Sequence, residues 1–235
     1  MSMKLRVGDK IRPWGGINYG TLGFFCIDES KDVFLATCDH VIKTLSTPEN
    51  GPWKIYFPFG SGYSEKIALY EGKSLVTKSQ TTADFALAKV LLDIESEISL
   101  PMVIPSTGVG EFTNTKLPIE GDEVILWGAR TATYHSGVVM KQNSNHSWPH
   151  GKYGLVKYEK QFSVAISPTY TPEIGDSGGY VITPDGTLVG ILAALSGTVA
   201  DDGNLMIHCV PVKECCEILG VQPIINQNME VKNED

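Results

Sequence analysis

Nearly the whole chain is written in short apolar or alternating runs edged by turn residues. Thr21-Leu22-Gly23-Phe24-Phe25-Cys26-Ile27, Val33-Phe34-Leu35-Ala36-Thr37, Trp53-Lys54-Ile55-Tyr56-Phe57 and Asp84-Phe85-Ala86-Leu87-Ala88-Lys89-Val90 are each of strand length. The second half continues with Glu123-Val124-Ile125-Leu126-Trp127, Gly137-Val138-Val139-Met140, Gln161-Phe162-Ser163-Val164-Ala165-Ile166, Gly179-Tyr180-Val181-Ile182 and Leu188-Val189-Gly190-Ile191-Leu192. No long amphipathic helix interrupts them, so the pattern favours an all-β fold. A content of 24 Gly and 13 Pro agrees with many turns between short elements. One helix is expected, from Val212 to Leu219, after Pro211 and closed by Gly220, a residue suited to a helix C′ position.

Between the halves, roughly residues 96 to 118 carry Pro101, Pro105, Gly108, Gly110 and Pro118 with little periodicity, as a crossing segment between two β units should. The reading is two barrels, residues 1–105 and 106–221, followed by a polar, flexible tail over 222–235.

A formal charge of −8 with no cluster of Lys and Arg argues against nucleic acid as a partner. The N-terminus lacks the apolar run of a secretory signal, and no stretch approaches the ~18 apolar residues of a membrane span. Cys26, Cys38, Cys209, Cys215 and Cys216 make an odd count with two neighbours adjacent, a poor disulfide framework. The expectation is a soluble, cytoplasmic protein whose thiols are reduced and mostly serve as small buried hydrophobes.

The strongest local signal for chemistry is Gly175-Asp176-Ser177-Gly178-Gly179, directly before the strand Tyr180-Val181-Ile182. Glycines allow a tight turn and a close approach of substrate backbone. In such a turn the amides around Gly175, Asp176 and Ser177 can converge where the oxygen of a tetrahedral intermediate would sit. Taken alone, the string fits a plain glycine turn with an exposed serine equally well. Upstream, Ala36-Thr37-Cys38-Asp39-His40-Val41 places a histidine just past a strand, and Ala83-Asp84-Phe85-Ala86-Leu87 places an acid at the head of another. A serine hydroxyl needs an adjacent base to become a nucleophile, and histidine suits the role because its pKa lies near working pH.

Together these three segments resemble the chymotrypsin-like (trypsin-like) serine protease family, bacterial intracellular members in particular. Gly121-Asp122-Glu123-Val124 through Gly128-Ala129-Arg130-Thr131 to Gly137-Val138-Val139 extends the likeness, which spans about residues 18 to 219. The resemblance implies two six-stranded antiparallel Greek-key β-barrels with a short C-terminal helix. It implies Ser177 as nucleophile, His40 as general base and Asp84 as the residue that orients the base, with no cofactor. Asp93 or Asp39 could be proposed in place of Asp84; the following Phe85-Ala86-Leu87, which would anchor it at a buried strand start, favours Asp84. The substrate would be a protein or peptide.

The chain departs from the family in two places. Val41 follows His40, so the disulfide that secreted members form there, with Cys26 as one half, is missing. Nor is there an Ile-Val-Gly-Gly activation site, so Asp176 must find a partner other than a freshly cut N-terminal amine or serve as a turn residue. The expectation is an enzyme made without a propeptide, limited by substrate access or by a regulatory protein that orders the oxyanion loop.

By resemblance the specificity pocket falls to Thr171, Ala193, Ala194, Leu195 and Met206. Without an acid at Thr171, Lys or Arg is disfavoured; Leu195 and Met206 predict small or medium uncharged side chains before the cut. His135 keeps glutamate or glutamine open. Two rival readings are a metal site, for which Cys38 with His40 and the group His208, Cys209, Cys215 and Cys216 lack paired C-x-x-C spacing, and a latent protease-fold binding module in a bacterial defence or signalling assembly.

Overall fold

The computed structural model describes residues 5–16, 19–44, 47, 52–57, 66–76, 81–91, 98–99, 112–150, 152–169, 172–199 and 203–225, of which 81, 98, 99 and 195–199 are described by backbone alone. The first half holds β1 (Leu5–Arg6), β2 (Lys10–Pro13), β3 (Gly20–Thr21), β4 (Phe24–Asp28), β5 (Val33–Thr37), the single turn α1 (Asp39–Ile42), β6 (Trp53–Tyr56), β7 (Lys66–Tyr70), β8 (Ser74–Val76), β9 (Thr81–Val90) and β10 (Ile98–Ser99). The second holds β11 (Asn114–Thr115), β12 (Glu123–Trp127), β13 (Tyr134–His150), β14 (Gly154–Ile166), β15 (Tyr180–Ile182), β16 (Thr187–Val199), β17 (Leu205–Pro211), the helix α2 (Val212–Leu219) and β18 (Val221–Pro223).

In the second half β16, β15, β12, β13, β14 and β17 pair in that order and β17 returns to β16, which closes a six-stranded antiparallel barrel. Its interior is filled by Val124, Leu126, Val164, Ile166, Val181, Leu192 and Ile207. The first half is an antiparallel sheet in the order β18-β4-β5-β9-β7-β6-β2-β3, with β8 on β9. Six of these strands are four residues or longer; the short β3, β8 and β18 raise the count to nine. Phe24 and Phe85 stack inside it at 6.0 Å between ring centroids. Burial of each such ring contributes roughly 1.5–3 kcal/mol. This core runs on through Phe112, Tyr180, Ile191 and Val210, so the two barrels share one apolar seam.

Helix α2 forms where the sequence places it. Gly220 adopts a left-handed φ of 66° and its amide closes on the Cys216 and Glu217 carbonyls. The chain beyond it is not simply a tail. Val221–Pro223 pairs antiparallel with β4, and the Ile224 amide donates to the Phe25 carbonyl at 2.8 Å, which carries the C-terminal segment back to the first sheet. The rest of the expected tail, 226–235, lies outside the described residues.

The long hairpin of β13 and β14 is the element the sequence pattern least announces. Its base belongs to the second barrel, but beyond the bulges after Val139 the two strands continue to the turn at His150 and Gly154. There burial alternates strictly: Ser144, His146, Trp148 and His150 turn inward and Asn143, Asn145, Ser147 and Pro149 face water. Val156 and Tyr158 of β14 meet Val76 of β8, so a second-barrel hairpin lies against the first.

Candidate active site

His40 follows β5 directly and sits in α1, with Asp84 across from it on β9, the strand paired to β5. The Asp84 carboxylate is fully buried and takes two bonds from the histidine: the backbone amide at 3.1 Å and ring Nδ1 at 2.5 Å. A carboxylate only accepts, so the Nδ1 proton points to Asp84 and Nε2 is left as a basic lone pair. Burial pulls the His40 pKa down, but the charge and hydrogen bond of Asp84 together with the Asp39 charge outweigh it, and the net shift is upward. Burial pushes Asp84 up, and here too the partner wins: the charge and hydrogen bond of His40, then the charge of His150, hold the carboxyl below its ordinary value. Asp39, the alternative acid, points elsewhere, toward Lys43 and His150.

Ser177 lies in the tight turn that precedes β15. Gly175 and Gly178 take φ of 117° and 91°, values open to glycine. A Cβ on Gly178 would stand 2.2 Å from both the Thr21 carbonyl and the Thr37 hydroxyl, and one on Gly179 would stand 1.9 Å from the Trp127 carbonyl. The turn therefore packs backbone to backbone against both barrels. The Ser177 hydroxyl donates to the Ala193 carbonyl at 3.2 Å, and no hydrogen bond joins it to His40 among the described residues. The amides of Gly175 and Ser177 have no protein acceptor among the described residues. The Asp176 amide does: it donates to the Glu173 carbonyl at 3.0 Å, so of the three expected oxyanion donors it is the one already engaged.

The Asp176 side chain has another task. Its buried carboxylate accepts the Arg130 amide at 2.9 Å, the Thr131 amide at 3.0 Å and the Glu173 amide at 2.9 Å. Gly128 lets it in, since a Cβ there would lie 2.3 Å from Asp176 Oδ1. The partner that the sequence left open is thus a cradle of backbone N–H groups. Thr21 completes the anchorage, donating to the Gly175 carbonyl at 2.8 Å and accepting the Ala129 amide at 2.9 Å, while Thr37 donates to the Thr21 carbonyl at 2.8 Å.

Of the expected pocket residues, Thr171 lies outside the described residues, and Leu195 is described by its backbone, paired with Ile207. Ala193 turns its methyl into the core and offers its carbonyl to Ser177. Ala194 is the register neighbour of His208, and Met206 of Ala165; both are half-buried. The His208 ring is covered by His146 at 3.5 Å and Trp148 at 5.8 Å between centroids. Burial, then the neighbouring His146 charge, lowers the His208 pKa to about 4. His135, on β13, is lowered by burial, against an opposing pull from Asp176.

The ligand atoms of Cys38, His40 and Asp84 lie within 4.8 Å of one another. They are already engaged, His40 with Asp84 and the Cys38 thiol with the Leu192 carbonyl at 3.2 Å, so they make a poor cation cage. All five cysteines are buried and unbridged, and burial raises their thiol pKa values, Cys216 to about 12. They are inert small hydrophobes.

No protein-family model and no curated protein matches the sequence. Solved structures match the fold. A serine protease described as specific for glutamic acid and as using a histidine triad in substrate binding is 18% identical, with a TM-score of 0.66, covering 94% of this chain and 100% of that one. The Nocardiopsis protease NAPase is 16% identical, with a TM-score of 0.65 and coverage of 94% and 98%. Protease A of Thermobifida fusca is 16% identical, with a TM-score of 0.64 and coverage of 94% and 100%. The chain has the chymotrypsin-like double-barrel fold.

Of the residues the sequence proposes, the fold pairs His40 with Asp84 and packs the turn that carries Ser177 against Thr21 and Thr37 of the first barrel. Sequence reasoning missed Thr21, the amide cradle of residues 128–131, and His150. Backbone donors leave no trace in side-chain identity, and a threonine opening a strand reads as β propensity.

Proposed function

We propose that the protein is a serine endopeptidase that cleaves through an acyl-enzyme on Ser177, with His40 as general base and acid and Asp84 as its orienting partner. The observation that carries this is the pairing of His40 Nδ1 with the buried Asp84 carboxylate at 2.5 Å, which leaves Nε2 basic at the seam where the glycine turn presents Ser177. Attack requires the Ser177 hydroxyl to leave the Ala193 carbonyl and donate to Nε2 as substrate enters, in keeping with catalytic hydrogen bonds that tighten in the complex. The proton then passes to His40, Asp84 stabilises the imidazolium, and the amides of Gly175 and Ser177 receive the developing negative oxygen. The adduct collapses as His40 gives that proton to the departing amine, and the acyl group leaves Ser177 when water repeats the attack with His40 as base.

The substrate is a protein or peptide with a small or medium uncharged residue before the cut, fitted to Ala194 and Met206. A second reading, an acidic residue there, is favoured by His208 lying beside Ala194 with His146 stacked on it. Five buried, unbridged cysteines favour a reducing compartment. Hydrolysis of a peptide panel differing in the residue before the cut, by the wild type and S177A, tests both levels. Cleavage abolished by S177A is expected; cleavage that survives it would overturn the mechanism, and preference for glutamate over alanine and leucine would select the second specificity.

A further inference from the structure

We propose that Asp39 and His150 form a second aspartate–histidine pair, a positioning pair that fixes the β13–β14 hairpin of the second barrel onto the helical turn bearing His40. The inference deepens the proteolytic reading of the same site.

His150 Nε2 lies 2.9 Å from Asp39 Oδ2, and both side chains are wholly buried. The tautomer follows from the neighbours. The Lys152 amide donates to His150 Nδ1 at 3.1 Å, so Nδ1 is the acceptor and Nε2 carries the proton that goes to Asp39. The ring is held from both sides. On the other carboxylate oxygen Asp39 meets Lys43 Nζ at 2.9 Å and the Ser74 hydroxyl. Lys43 also donates to the Val76 carbonyl at 2.7 Å and lies over the rings of Tyr70 and Tyr153 at 5.6 and 5.7 Å. The groups facing Asp39 thus include Lys43 from α1, Tyr70 from β7, Ser74 from β8, Tyr158 from β14, and His150 with the turn residues Lys152 and Tyr153. Lys152 Nζ adds a bond to the Thr47 carbonyl at 2.8 Å.

A buried polar pair of this kind adds little net stability over apolar packing; what it fixes is geometry. Here it fixes the part of the second barrel that reaches furthest onto the first, one residue before the base. It also faces the other pair, since the Asp39 charge favours protonated His40. The seam that must hold His40 against Ser177 is therefore tied at the far end of a 17-residue strand as well as at the shared core.

The test uses the full-length protein with isotope-labelled histidine, followed by nuclear magnetic resonance, and fluorophosphonate labelling rates in the same samples. We expect His150 as the Nε2–H tautomer, a lower His40 pKa in D39N than in wild type, and labelling slowed about tenfold or more in H150A, since misplacement of ~1 Å can cost ~100-fold. H150Q, which keeps an N–H near the Nε2 position, should recover most of the rate. A merely structural pair would lower Tm without moving the His40 pKa. An Nδ1–H tautomer at His150, an unchanged His40 pKa in D39N, or a wild-type labelling rate in folded H150A would each overturn the proposal. If H150A does not fold, D39N and H150Q decide it. If the wild type is not labelled, the proteolytic reading fails, and the His40 pKa and the His150 tautomer still decide this inference.

Discussion

The Thr21 hydroxyl donates to the Gly175 carbonyl at 2.8 Å, so a first-barrel strand holds the second-barrel loop that ends in Ser177. The same oxygen accepts the Ala129 amide, and the side chain is fully buried. Thr21→Val keeps the shape and removes both bonds, stranding a buried acceptor and a buried donor at about 1–3 kcal/mol each. The variant should stay folded with a lower urea midpoint, and its Ser177 labelling rate should fall more than its peptide affinity, as a loosened oxyanion loop requires.

Gly128 has a comparably narrow tolerance. Its missing side chain leaves the space that Asp176 Oδ1 fills, and Gly128→Ala would place a methyl 2.3 Å from that oxygen. Overpacking of this kind costs about 1–3 kcal/mol. Because the cradle of Arg130 and Thr131 amides would be displaced with it, peptide hydrolysis should fall steeply while far-ultraviolet circular dichroism keeps its β signature.

No cut N-terminus is needed to order this loop, because backbone amides satisfy the Asp176 carboxylate. Full-length protein should therefore hydrolyse peptide without prior trimming. Asp176→Asn should weaken the cradle, since charge-assisted bonds are roughly twice as strong as neutral ones. Activity that arises only after N-terminal proteolysis, measured on intact mass and rate together, would contradict this.

The pair of His40 and Asp84 sets the pH behaviour. With the His40 pKa raised above the ordinary value of ~6.5, the acid limb of kcat/KM should have its midpoint above that value. In stability, the raised His40 contributes fully below ~6.5 and is lost as pH rises through its folded pKa; the depressed Asp84 contributes above ~3.9 and is lost as pH falls through its own. Urea midpoints should accordingly drop in acid below the Asp84 range and decline mildly on the alkaline side of the His40 pKa. Asp84→Asn should cost kcat on the order of 10⁴, the scale for loss of the orienting acid in such triads, and move the acid limb down.

The barrels were legible where burial writes itself as apolar runs: Val33–Thr37 and Tyr180–Ile182 are buried throughout and read as strands on sight. The distal hairpin was not, because its inward positions are Ser144, His146, Trp148 and His150, which break the apolar alternation that marks a half-buried strand. Asp39 yields to Asp84 in the sequence because an apolar strand follows only the latter. The direction of Asp39, toward a histidine 111 residues away, is a fact of tertiary packing that local pattern does not encode. Cys38 and His40, the pair behind the rival metal reading, are neighbours through the start of a helical turn, each bonded to something else.

The most direct measurement is labelling of the purified protein by a fluorophosphonate probe, with mass spectrometry of the modified peptide and His40→Ala as control. Modification at Ser177 that disappears in the variant is the predicted result. A folded wild type that stays unmodified, or modification that persists without His40, would contradict the assignment of Ser177 and His40 as nucleophile and base.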